Sequence, residues 1–195
     1  MDGIHVVPAT AQRWPDLVSL FGENGASAGC WCMWHRLTGR DAEAGARAGG
    51  ECNRRRLQVL VEDGRNPGLL AYRGAQPVGW VALAPRQDYG RVERSAFARL
   101  SPSDGTWAIV CFFIHRAHRR RGVAQALLHA AIAYAEERGA RTVEAYPVDS
   151  TVRPVDDASA YHGVASMFRA AGFAEVARPF PARPLMRRTI RAVET

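Results

Sequence analysis

The sequence predicts an α/β (α+β) protein, in which a mixed, mostly antiparallel sheet of about six to seven strands carries helices on both faces. The apolar run 107–114 is typical of a central strand covered on both sides. A helical repeat then runs to Gly139, and residues 141–146 form another strand, so a parallel strand–helix–strand unit lies at the centre. Two apolar runs within residues 69–84 flank a short polar turn, which indicates an antiparallel hairpin.

The remaining elements follow from the same patterns. Strands are predicted at 4–7, 173–177 and 185–190, and helices at 10–21, 52–62 and 161–171. Gly45, Gly49 and Gly50 disfavour an earlier start for the second helix. The polar stretch 86–104 is expected to be a substrate loop or to hold a short helix near 95–100. A length of 195 residues suits one domain, 1–195.

Composition limits the partners and the location. Apolar residues make up 47% of the chain, but no run approaches the roughly 20 that a membrane span requires. Residues 1–8 lack the basic and apolar regions of a secretory signal. We therefore expect a cytoplasmic protein with no membrane partner.

The chain is basic, with a formal net charge of +7, and all 26 basic residues are Arg. The clusters at 54–56 and 116–121 could meet phosphates, although short charge runs are most often solvated. No recognisable nucleic-acid-binding module accompanies them, so no nucleic-acid partner is expected. Strongly salt-dependent binding to DNA would reverse that expectation.

The cysteines suggest a metal site only weakly. Cys30, Cys32 and Cys52, together with His35, have the chemistry of zinc ligands, but their spacing is not a familiar zinc spacing. We predict no metal. Cys111 lies in an apolar strand and is expected to be a small core residue rather than a nucleophile.

The turn between the central strand and its helix is the segment most informative about function. It contains the motif Arg119-Arg120-Arg121-Gly122-Val123-Ala124. Unpaired amides at a helix start, beside positive charge, suit a diphosphate. Gly122 permits close approach of the backbone, and Ala124 keeps the helix start narrow.

From Ile114 through Arg119-x-x-Gly122-x-Ala124, the chain resembles the coenzyme A signature of the Gcn5-related N-acetyltransferases (GNAT family). The resemblance covers most of the chain, from the opening strand and helix to the late helix that ends before Gly172-Phe173. It implies a GNAT-like fold and an enzyme that uses acetyl-coenzyme A as cosubstrate. The family's usual route is direct attack of an amine on the thioester.

The resemblance also implies where the cosubstrate lies. The pantetheine arm is expected between two splayed strands, near 113–114 and 144–146. The backbone of Phe113 or Ile114 would bond the pantetheine, and the amides of 120–124 would hold the diphosphate. Homodimers are frequent in the family, and a homodimer is expected only on that analogy.

Two departures leave the acid and the base unassigned. Many relatives have a Tyr as general acid where this chain has Phe168, and the strand 107–114 has no carboxylate that could serve as base. Ser166 is the favoured proton donor over Tyr161 and His162. The candidates for base or amine recognition are Glu144, Asp149, Asp156 and Asp157.

The acceptor is predicted from an early loop, 30–36, that concentrates aromatic and sulfur-containing side chains. Trp31 and Trp34 are expected to line a pocket for a small-molecule amine, by stacking on a sugar or contacting a cation. The alternative is a satellite core beneath the loop. The overall pattern is similar to aminoglycoside 2'-N-acetyltransferases of the kasugamycin-resistance type. A protein N-terminus or lysine as acceptor, and a non-catalytic module that binds coenzyme A, stay open.

Overall fold

A computed structural model describes residues 3–100, 102–152, 154–155 and 160–190. Seven strands form one sheet: β1 (Ile4–Pro8), β2 (Gly68–Arg73), β3 (Gln76–Pro85), β4 (Thr106–Ile114), β5 (Thr142–Ala145), β6 (Ala174–Phe180) and β7 (Arg183–Thr189). Their order is β1-β2-β3-β4-β5-β7-β6. Only β4 and β5 pair in parallel, since all other neighbours in this sheet are antiparallel. The predicted fold class, with its parallel strand–helix–strand centre, is confirmed.

The helices of the described chain are α1 (Trp14–Phe21), α2 (Gly39–Arg47), α3 (Glu51–Glu62), α4 (Gly90–Glu93), α5 (Val123–Glu136) and α6 (Ala165–Ala170). Helix α2 was not predicted from the sequence, because Gly45, Gly49 and Gly50 disfavour a helix that starts before residue 52. At Gly45 a side chain would collide with the amide of Asn53 on α3, since an added Cβ would lie 2.3 Å from the Asn53 Oδ1 atom. Gly45 therefore permits close packing of two helices rather than breaking one.

The sheet carries a hydrophobic core on each face. On one face, α5 buries an apolar stripe that includes Leu127, Leu128 and Ala131, and α6 adds Phe168. On the other face, α1, α3 and the loop that follows α1 cover the sheet, with Leu17 and Trp80 at their centre. Helices on both faces agree with the sequence pattern. No helix among the described residues is both long and apolar enough to span a bilayer.

Two segments of the described chain consist of short helical pieces. The helix predicted at 161–171 is divided into a 3-10 turn at Ala160–His162 and helix α6. Gly163 separates them with a φ of 73°, a left-handed conformation that favours glycine. The stretch 86–104 holds α4 and short 3-10 turns at Arg86–Asp88 and Ala98–Leu100. The second 3-10 turn lies within the predicted short helix near 95–100.

Candidate active site

The turn between β4 and α5 presents backbone amides at a helix start. Arg120 and Gly122 adopt left-handed φ angles of 57° and 80°, which turn the chain sharply into Val123, the first residue of α5. No side chain caps this helix start. The first amides of an α-helix have no partner within the helix, and they lie at the positive end of its dipole. The turn is therefore suited to an anion.

A cavity of about 350 Å³ opens over this turn. Its lining consists of Ile114, His118, Arg119, Arg120, Gly122, Val123, Ala124 and Gln125. A Cβ built on Gly122 meets no atom within 4 Å, so the space above its backbone is open. Of the predicted cosubstrate residues, Arg121 is exposed and Phe113 packs its side chain into the core on the α1 face, so neither lines the cavity.

The strands β4 and β5 separate beside this turn. Their parallel pairing runs from Thr106 opposite Thr142 to Ile109 opposite Ala145. At the next residue β4 bulges: Ala82 of β3 pairs with Cys111, whereas Leu83 pairs with Ile109, so Val110 is the extra residue.

The bulge reverses the alternation of side chains along β4. Val110 and Cys111 both pack on the α1 face, whereas Ile109 and Phe112 pack on the α5 face. Beyond Val110, β4 continues to Ile114 without β5 beside it. Ile114, the last residue of this unpaired stretch of β4, lines the cavity at the helix start.

Comparison with known proteins agrees with this geometry. A family model described as the acetyltransferase (GNAT) family matches residues 31–159. The chain belongs to the GNAT family. It is therefore an N-acetyltransferase that uses acetyl-coenzyme A. No curated protein sequence matches it.

Solved structures share the fold of this acetyltransferase over its whole length. A PaiA N-acetyltransferase from Thermoplasma acidophilum in complex with coenzyme A has a TM-score of 0.55 and 12% identity, covering 96% of this chain and 99% of the other. A histone acetyltransferase HPA2 and related acetyltransferase from Corynebacterium glutamicum gives 0.58 and 17%, covering 98% and 99%. The diaminobutyrate acetyltransferase EctA from Paenibacillus lautus, in complex with its substrate L-2,4-diaminobutyric acid and coenzyme A, gives 0.53 and 15%, covering 99% of both chains.

A group of aromatic and imidazole rings lies where β4 leaves β5 in this acetyltransferase. His162 is only 6% exposed, and its imidazole donates a hydrogen bond to the carbonyl of Val110, the bulge residue. The His35 ring lies 5.5 Å from the His162 ring, and the Tyr161 ring lies 3.9 Å from it. We call these three side chains the histidine corner.

Both imidazoles of the histidine corner are uncharged near neutral pH. Burial, and secondarily the charge of Arg183, lowers the pKa of His162 well below its ordinary value. Burial, followed by the charges of Arg183 and Arg91, lowers the pKa of His35 to about 3. From the sequence His35 is a zinc-ligand candidate within the 30–36 loop, and no sequence signal connects it to a residue as distant in the chain as His162.

The position of the usual general acid is part of the core. Phe168 is fully buried, and its ring lies 6.1 Å from that of Phe112 and 5.2 Å from that of Phe173. Ser166, the donor favoured from the sequence, lies in the first turn of α6 with an exposed side chain. Tyr161 is half-buried, and burial raises the pKa of its hydroxyl, which keeps the proton in place at neutral pH.

Glu144 is at the centre of a buried ion cluster. It is completely inaccessible to solvent, and its carboxylate accepts hydrogen bonds from Arg86 at 3.2 Å and from Arg187 at 2.9 Å. The Tyr146 hydroxyl donates to the same carboxylate at 3.2 Å. A carboxylate held between two guanidinium groups has no access to an acceptor. This placement contradicts the prediction that Glu144 serves as base.

Asp149 is likewise occupied by partners within the protein. The Thr151 hydroxyl donates to its carboxylate at 2.7 Å, and Arg178 donates at 2.8 Å. These bonds lower the pKa of Asp149 well below its usual range. At 3% exposure, Asp149 is not placed to bind a cationic acceptor, contrary to the prediction. Asp156 and Asp157 lie outside the described residues.

The two predicted pocket tryptophans have different environments. Trp31 is 3% exposed and packs against Trp14 and Phe21, with ring centroids 6.0 and 5.5 Å away. Its ring has no face left for an acceptor, so the alternative of a satellite core is correct for this residue. Trp34 is half-buried, and the Arg91 guanidinium lies 3.8 Å above its ring.

The cysteine cluster does not assemble into a metal site within the residues that the structure describes. No group of three or more His, Cys, Asp or Glu side chains there could hold a metal ion. Cys52 is exposed on α3, whereas Cys32 is buried in the core. The Trp80 indole N–H donates to the Cys32 sulfur at 3.1 Å, and the Cys111 sulfur is 3.8 Å from it.

Proposed function

We propose that this acetyltransferase transfers the acetyl group to an amine of a small molecule, by direct attack of the amine nitrogen on the thioester carbon of acetyl-coenzyme A. The observation that carries the proposal is the position of the histidine corner at Val110, where β4 and β5 separate. An amine held there would contact the buried ring of His162 and the half-buried rings of His35 and Tyr161. A few polar atoms within an apolar wall are typical of sites for small molecules.

The cosubstrate would be held mainly by backbone atoms. We assign the diphosphate to the amides of 120–124, at the open start of α5, with Arg119 and Arg121 supplying positive charge nearby. The backbone of Phe113 and Ile114 follows the bulge and would bond the pantetheine. These assignments rest on the orientation of the turn and on the space above Gly122.

The departing thiolate needs a proton donor. Tyr161 fits this role better than Ser166, because its ring belongs to the histidine corner, whereas the Ser166 side chain is exposed. We expect Tyr161→Phe to lower kcat about tenfold or more and Ser166→Ala to leave it nearly unchanged. The reverse order, measured by steady-state kinetics on both variants, would return the role to Ser166.

For the acceptor itself we propose an amino sugar of the aminoglycoside type that carries few positive charges. The half-buried ring of Trp34 supports a sugar, since aromatic rings stack on apolar sugar faces. The low charge of the proposed acceptor follows from the groups around the site. The carboxylates of Glu144 and Asp149 are paired with arginines, and the positive charges of Arg91 and Arg183 lie near the histidine corner. A polycation would be repelled there.

The proposal is tested by the release of free thiol from acetyl-coenzyme A with the purified protein. The amines to compare are kasugamycin, aminoglycosides with more amino groups, L-2,4-diaminobutyrate, an alanine-terminated peptide and a lysine peptide. We expect turnover with a small amine, fastest for an amino sugar of low charge. Turnover restricted to the peptides would overturn the proposal.

The matched variants for this assay are Gly122→Trp and Gly139→Trp. Both glycines have left-handed φ angles, and a Cβ at either position meets open space. Only Gly122 lies at the proposed diphosphate site. Loss of turnover in Gly122→Trp alone would therefore connect the activity to that turn, whereas equal losses would indicate an effect on folding.

A further inference from the structure

Two buried imidazole nitrogens of the histidine corner have no hydrogen-bond partner among the described residues. They are Nδ1 of His162 and Nε2 of His35. Buried polar atoms in folded proteins are almost always hydrogen-bonded, because an unpartnered one has lost its water without replacement. Two such atoms on rings 5.5 Å apart indicate a ligand that supplies the missing partner.

The chemistry of that ligand follows from the tautomer of His162. The ring donates to the Val110 carbonyl, and Nδ1 is its unpartnered nitrogen, so the donating nitrogen is Nε2. A neutral imidazole has a single N–H, and Nδ1 therefore carries a lone pair. An atom that fills this position must be a hydrogen-bond donor, as an amine nitrogen is.

The surroundings keep the lone pair available. The groups that face His162 are the cation Arg183 and the neutral rings of His35 and Tyr161. A positive charge nearby disfavours the imidazolium form, so both rings are neutral before an amine binds, and Nδ1 of His162 keeps its lone pair.

We propose that His162 Nδ1 is the catalytic base that takes the proton from the acceptor amine, and that His35 Nε2 accepts a second N–H and orients it. As the new C–N bond forms and the C–S bond breaks, the sulfur leaves with the bonding electron pair. The nitrogen loses one proton to His162, and the thiolate receives one from the Tyr161 hydroxyl. Transfer of the proton from His162 to the Tyr161 oxygen then restores both side chains, so the products are the amide and free coenzyme A. This role rests on the proposed function, since it requires an amine at the corner.

His162→Gln tests the proposal, because a Gln amide N–H can still donate to the Val110 carbonyl while the Nδ1 lone pair is lost. The matched control is His129→Gln, an exposed histidine on α5. We expect His162→Gln to lower kcat by about 10²–10⁴-fold with the best amine of the panel, with coenzyme A affinity unchanged. Free imidazole should restore part of the activity of His162→Gly, which a purely structural role would not allow.

A His162→Gln enzyme that melts like the wild type and keeps kcat within about threefold would overturn the inference, while the proposed function would stand. If the wild type acetylates no amine, the proposed function fails and the catalytic role of His162 fails with it, and ¹⁵N NMR of the imidazoles still tests the predicted tautomer and the amine contact. A hydrogen on Nδ1 of His162 in the folded protein would overturn the predicted tautomer. An unprotonated Nδ1 whose resonance shifts on addition of a simple alkylamine would support both.

Discussion

Replacing Glu144 by Gln distinguishes a structural carboxylate from a catalytic one. The substitution keeps the shape of the side chain but removes its charge, and it leaves Arg86, which is 1% exposed, with less compensation. Breaking a buried ion pair costs about 3–5 kcal/mol. We expect the lower end, about 3 kcal/mol, because Glu93 still pairs with Arg86 at 2.9 Å and the Arg187 side chain is one-quarter exposed. For a chain of this size that lowers Tm by about 6–12 °C.

The assay combines thermal denaturation with steady-state kinetics at 25 °C. Glu93→Gln is the matched control: it removes a carboxylate from the same Arg86, but from a side chain that is 29% exposed, and we expect a cost of at most about 1 kcal/mol. The double variant Arg86→Met with Glu144→Leu should recover part of the lost stability, since it leaves no charge buried at the centre. A Tm within about 2 °C of the wild type, together with a kcat about 100-fold lower, would refute the reasoning and make Glu144 catalytic.

Three further predictions separate neighbouring roles. Gly122→Ala and Gly139→Ala should each destabilise the fold by about 1–2 kcal/mol, because both residues have a left-handed φ. Only Gly122→Ala should weaken coenzyme A binding, by about tenfold or more as measured by calorimetry. Trp31→Ala should lower the unfolding free energy by about 3–5 kcal/mol, because its ring is buried in the core. Trp34→Ala should lower the unfolding free energy by about 1 kcal/mol or less, but it should raise KM for the acceptor. The opposite pattern would restore Trp31 to the pocket. Because the pKa of Asp149 is depressed in the folded protein, its carboxylate stabilises the fold fully above its unfolded pKa of about 3.9, and this stabilisation is lost as the pH falls. The Tm difference between the wild type and Asp149→Asn should therefore be large at pH 7 and shrink below about pH 4. A difference independent of pH would contradict the ion-pair role.

Features set by neighbouring residues were predictable. The apolar run of β4 and the helical repeat of α5 are local patterns, and they gave the central parallel unit. The turn at Gly122 is also local: its left-handed conformation and its position at a helix start depend on a few consecutive residues. The homodimer and the cytoplasmic location stay predictions.

Features that depend on contacts between distant segments were not predictable. A sequence lists carboxylates but not their partners, and the arginines that pair with Glu144 and Asp149 come from the 3-10 turn after β3 and from β7 and β6. Trp31 and Trp34 are three residues apart, yet one is enclosed by the core and the other is half-buried, because the fold of the loop decides which ring faces α1.

The sequence by itself determined the central strand–helix–strand unit and the position of the glycine-containing turn at its helix start, because both follow from short-range periodicity and backbone conformation. Only the tertiary structure decided which titratable groups are free to act. The histidine corner exists because the loop after α1 and the turn before α6 both pack against the bulge in β4. That meeting depends on burial and through-space distance, which no spacing along the chain encodes.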